Sequence, residues 1–75
     1  MNPEVAKLFA AGLAVALGGA LPALGQAIMV KASMEAVGRN PAVKDDVFSR
    51  MIIAMALTES IAIYSLVIAL LILFV

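Results

Sequence analysis

The sequence predicts an all-α membrane protein, a two-helix transmembrane hairpin. Three observations lead there. Two long runs are almost free of charge, and a polar segment containing a proline joins them. The third is composition: 65% of the 75 residues are hydrophobic and the mean hydropathy is +1.16. A soluble domain of that size needs a polar surface that this composition does not supply. A chain so short also builds little core of its own. Lipid, self-association or both must therefore cover it.

The first run lies between Lys7 and Lys31 and carries no charge. Its length, about 23 residues, gives roughly 35 Å of helix, enough to span the hydrocarbon layer. Small residues fill it, among them Ala11, Gly12, Gly18, Gly19, Ala23 and Gly25. Such residues let helix backbones approach closely in membranes. They occupy nearly every face rather than one stripe, which suits the inner wall of a tight ring or bundle. Pro22 removes one backbone hydrogen bond and is expected to bend this helix.

The joining segment holds Lys31, Glu35, Arg39, Asn40, Lys44, Asp45, Asp46 and Arg50 around a centre of Gly38-Arg39-Asn40-Pro41. Glycine is expected to end helix one, and Pro41 cannot continue a helix from the preceding turn. The boundaries read as helix one over about 4–37, a polar turn over about 38–43, and helix two over about 44–75, in a single domain. Asp45 and Asp46 then fall in the first turn of helix two, where the helix dipole favours negative charge. Four of the five Lys and Arg residues lie in or beside the turn. That places the turn in the cytoplasm and both termini on the outer side. The start, Met1-Asn2-Pro3-Glu4, lacks the basic segment of a signal peptide, and the chain reads as the mature form of a bacterial membrane protein.

The second run, Met51 to Val75, is about 25 residues long and is interrupted by a single charge, Glu59. Bulky residues such as Ile52, Leu66, Ile68 and Leu70 mark it as the lipid-facing layer. An ionised carboxylate in hydrocarbon is costly, so an acid held there points to a functional site. The plainer reading is an acid satisfied structurally inside a bundle.

A hairpin sets residues at equal depth when their numbers sum to a constant. A turn centred near residue 42 puts Gln26 level with Glu59, and Glu35 level with Arg50. The second pair reads as a weak interfacial ion pair. Ser60 and Tyr64, four residues apart, share a helix face near the acid. Thr58 and Ser65 are expected to bond back onto their own helix. Gln26, Ser60 and Tyr64 can hold a neutral carboxyl fully bonded, or surround a small hard cation with oxygens.

Other chemistries are excluded by what the chain lacks. It has no cysteine and no histidine, so thiolate sites and imidazole chemistry are absent. Neutral net charge and the lack of a basic patch argue against nucleic acid. No nucleophile–base pair is visible. No residue is assigned a catalytic role, no cofactor is expected, and the chain is not an enzyme by itself.

The Arg39-Asn40-Pro41 turn, the spacing from Pro41 to Glu59, and the stretch from Glu59 to Leu70 together resemble the c-subunit of the rotary F-type ATP synthase, the proteolipid of its membrane ring. The likeness covers nearly the whole length, with Asn40 where the family's turn has Gln. The resemblance implies a closed homo-oligomeric c-ring in the bacterial inner membrane, with helix one inside and helix two facing lipid. It implies an ion site of Glu59, Gln26, Ser60 and Tyr64, with the Leu57 carbonyl added when the ion is sodium. It implies that Glu59 exchanges its ion beside an arginine of the stator's a-subunit. Arg39, Asn40 and Pro41 become docking residues for the central-stalk subunits gamma and epsilon. The family's alternating glycines on helix one correspond to Gly19, Leu21, Ala23 and Gly25, so Gly19, Ala23 and Gly25 are packing positions and Leu21 is a departure.

Sodium-using members usually carry Thr after the Ser, where this chain has Ile61. A dehydrated cation needs its full set of oxygens, so the missing ligand favours protons over sodium. A different class stays open, an oligomeric pore or holin-like membrane hairpin. That class explains the hairpin and its apolarity, but not why Gln26 and Glu59 are level.

Overall fold

The computed structural model describes residues 1–75 and contains two long helices, α1 (Pro3–Arg39) and α2 (Lys44–Phe74), with one turn of 3-10 helix at Pro41–Val43 between them. At 1.5 Å per residue a helix of 37 residues is about 55 Å long. The whole molecule measures 58 × 17 × 6 Å, so it is two rods laid side by side. Both helices are long and apolar enough to cross a membrane. They exceed the roughly 30 Å of a hydrocarbon core, so their ends project beyond it.

Local sequence sets the ends. Asn2 caps α1: its side-chain oxygen accepts from the Val5 N–H at 2.8 Å, and Pro3 follows at the first helical position. At the other end the structure departs from the expected glycine stop. Gly38 is helical, no glycine has a positive φ, and α1 runs on through Arg39. The chain breaks instead at Asn40, with φ −144° and ψ 88°. The cause is Pro41, whose ring crowds the residue before it out of the helical region. Asn40 then closes the turn, its Oδ1 accepting from the Ala42 N–H at 3.3 Å. Asp45 and Asp46 occupy the first turn of α2, as the dipole favours.

The seam between the helices follows one stripe on each. Ala11 and Pro22 are the buried residues of α1, and Met51 and Ala69 those of α2. Between them, half-buried positions recur every three or four residues: Ala14, Gly18 and Gly25 on one side, Thr58, Ala62 and Ser65 on the other. Helix α1 is continuous through Pro22, which is packed against α2 rather than exposed. Only four of the 75 residues are buried, so one hairpin cannot cover its own apolar surface. Lipid or further copies must do so.

Glu35 and Arg50 do not pair. Arg50 Nε donates instead to both carboxylate oxygens of Asp46, at 3.2 Å each, one helical turn away. A partner on the same helix face is held in reach by the backbone, whereas a partner on the other helix is not. The two side chains are 80% and 69% exposed, so the pair contributes little. Asp46→Asn is expected to change stability by less than about 0.5 kcal/mol. Ala69→Leu, which forces bulk into the seam, is expected to cost about 1–3 kcal/mol. An SDS unfolding titration of the detergent-solubilised protein checks both.

Candidate functional site

Gln26 and Glu59 meet across the seam. Gln26 Nε2 donates to Glu59 Oε2 at 3.0 Å and to the Met55 backbone carbonyl at 3.2 Å. Both partners are acceptors, which fixes the amide with its nitrogen toward α2. The Met55 carbonyl lies one turn before Glu59 on the same helix. One NH₂ group therefore grips the backbone and the acid together. Gln26 itself is half-buried, while Glu59 is exposed at the outer edge of the hairpin. Its carboxyl is thus held on one side by its own hairpin and open on the other. No ion pair involves Glu59. Within this hairpin, the Gln26 amide is the side-chain donor it has.

The remaining expected residues are arranged differently. Ser60 bonds back onto its own helix, its Oγ donating to the Ala56 carbonyl at 3.0 Å. In this it matches Thr58, which donates to Ala54 at 2.8 Å, and Ser65, which donates to Ile61 at 3.1 Å. Within one hairpin, Ser60 therefore does not bond Glu59. The physical reason is proximity: the carbonyl four residues back is always within reach of a serine hydroxyl in a helix. The hydroxyl oxygen keeps lone pairs with which to accept. Tyr64 is 70% exposed and Leu57 68% exposed, and neither side chain touches the Gln26–Glu59 pair through a hydrogen bond. Both project from the hairpin toward whatever lies beside it.

The glycines sort into two groups. A Cβ on Gly19 or Gly25 would meet nothing within 4 Å, so the hairpin by itself has room for a side chain at either position. Ala23 is also exposed. Gly18 is the close approach, since a Cβ there would collide with the Oγ and Cβ of Ser65. Sequence reasoning missed Gly18 because the chain has small residues on every side of it. Its level, set by the turn, was the available signal. Arg39, Asn40 and Pro41 lie at the tip of the molecule, all exposed.

An amide and a carboxyl bonded across two membrane-spanning helices, in a chain that leaves most of its apolar surface uncovered, define a membrane proteolipid that holds one acid at its flank. The chain belongs to the ATP synthase c-subunit family, whose model matches residues 9–72. It is 45% identical to the ATP synthase c-subunit of Dehalococcoides mccartyi strain CBDB1 over 75 residues, 100% of this chain and 99% of that one. It is 45% identical over 69 residues to the ATP synthase c-subunit of Chloroflexus aurantiacus, covering 92% of this chain and 91% of that one. Against the corresponding ATP synthase protein of Geotalea uraniireducens it is 43% identical over 67 residues, 89% of this chain and 74% of the other.

Replacing Gln26 by Leu leaves the Glu59 carboxyl without its side-chain donor, while the Met55 carbonyl keeps its helical N–H. The loss is expected to be about 0.5–1.5 kcal/mol of hairpin stability, the usual net contribution of one hydrogen bond. The same SDS titration, comparing Gln26→Leu with Gln26→Leu/Glu59→Leu, checks it: removing both polar groups is expected to recover part of the loss.

Proposed function

We propose that this chain is the ion-translocating rotor component of an F-type ATP synthase membrane sector, and that Glu59 carries one proton per step. The observation that carries the reading is the Gln26–Glu59 hydrogen bond at 3.0 Å, which places a single oriented acid within the span and opens it sideways. Full-length similarity to proteins named as ATP synthase c-subunits supports it.

In this reading several copies close into a ring with α1 inside and α2 outside. The exposed flank of Glu59 then faces a neighbouring copy or lipid, and Tyr64 and the Ser60 oxygen join the carboxyl at that boundary. A protonated Glu59 is neutral and crosses lipid without the cost of a bare charge. Beside an arginine of the stator's a-subunit the carboxyl ionises and passes its proton to an aqueous path. Each charge moved across the membrane is driven by about 2.3 kcal/mol per 100 mV. Torque leaves through the polar tip, where Arg39, Asn40 and Pro41 dock the central-stalk subunits gamma and epsilon. The tip lies on the cytoplasmic side of a bacterial plasma membrane, in keeping with its basic residues.

Protons are favoured over sodium by the donor set. Ile61 has no oxygen to offer beside Ser60. A dehydrated sodium ion needs several oxygens at once, whereas a proton needs one acceptor.

Carbodiimide modification of the detergent-solubilised assembly tests this directly. Labelling is expected at Glu59 alone, and added sodium is expected to leave its rate unchanged. Protection by sodium would transfer the role to that ion. Glu59→Gln is expected to abolish proton pumping by inverted vesicles; transport that survives it removes the carrier role altogether and leaves a pore.

A further inference from the structure

Gly18 and Ser65 meet closely across the seam, and nothing in the ion-carrier reading uses that contact. Of the five glycines, Gly18 is the one where a side chain would meet α2; the other four face open space. The obstruction is not a mobile chain end. It is the Cβ and Oγ of Ser65, with the Ser65 Cα 3.6 Å from the added atom. Ser65 is itself fixed, its hydroxyl spent on the Ile61 carbonyl at 3.1 Å. Pro22, one turn along α1 from Gly18 and toward Gln26, is buried in the same seam. Proline has no N–H, so the Gly18 carbonyl has lost its usual helical donor. The segment is thus bare at two points, lacking a Cβ at Gly18 and an N–H at Pro22.

We infer that Gly18 is a positioning residue for the acid: its lack of a Cβ sets how closely α1 approaches α2, and that spacing keeps Gln26 Nε2 within bonding reach of Glu59. This rests on the ion-carrier reading for its purpose, but not for its geometry. Gln26 lies about two turns beyond Gly18 on α1, and Glu59 fewer than two turns before Ser65 on α2. Rigid helices pushed apart at one point separate at the neighbouring turns as well. The Gln26 bonds, at 3.0 and 3.2 Å, have little room to lengthen before they fail.

The test is a compensation cycle in the assembled, membrane-extracted protein, with Gly18→Ala, Ser65→Gly and the double variant. Two readouts are taken. One is the initial rate of carbodiimide labelling at Glu59. The other is the magic-angle-spinning NMR contact between the Gln26 side-chain nitrogen and the Glu59 carboxyl carbon. Gly18→Ala is expected to erase the NMR contact and to free the carboxyl for labelling on the order of fivefold faster, the shift that one lost hydrogen bond brings. Ser65→Gly in the same chain is expected to restore both. If Gly18→Ala fails to assemble, recovery of assembly and contact in the double variant supports the inference equally. An unchanged contact in Gly18→Ala, or no recovery in the double variant, overturns it. Failure of the wild-type chain to label at Glu59 would instead strike the carrier reading, so the two are told apart.

Discussion

One hydrogen bond organises this molecule. The Gln26 amide reaches across the seam to the Glu59 carboxyl and to the backbone carbonyl one turn earlier. In water such a bond would contribute about 1 kcal/mol and no more. Within a membrane span there is little solvent to replace it, so the same bond holds the register of two helices that share no other side-chain hydrogen bond. It also orients an acid whose other side is left uncovered.

That half-covered state links the fold to its family. A two-helix chain of this length buries almost nothing, and its apolar residues face outward on nearly all sides. Lipid or further copies must cover that surface, and α1 has room on it at the exposed Ala23 and at Gly19 and Gly25, where an added Cβ would meet nothing of the hairpin. At Gly18 there is no such room, because Ser65 of α2 lies against it. Small residues of α1 thus lie both in the seam and on its uncovered faces. Leu21, 67% exposed, stands among the external ones and offers bulk where the others offer none.

Much of this was legible beforehand because hairpin geometry is simple. Two apolar runs and an Asn-Pro turn fix which residues share a depth, and Gln26 opposite Glu59 follows from numbering alone. Side-chain partners near the turn were less legible. Arg50 chose Asp46 over Glu35, since a same-helix neighbour needs no exact interhelix spacing. Ser60 bonded its own helix for a similar reason. The end of α1 was misplaced at Gly38 because glycine permits a helix stop without requiring one, while the ring of Pro41 enforces it at Asn40.

The sequence by itself determined the class: hydropathy, charge placement and one proline leave little besides a membrane hairpin with an acid in its second span. Those are one-dimensional properties, and solvent partitioning acts on them residue by residue. Tertiary structure alone decided which face each small residue serves, which end of the Gln26 amide meets the acid, and which side of Glu59 stays open. Each of these depends on the rotation of one helix about its axis relative to the other. Composition as even as that of α1 carries no periodic signal to fix that angle; close packing of Gly18 on Ser65 does.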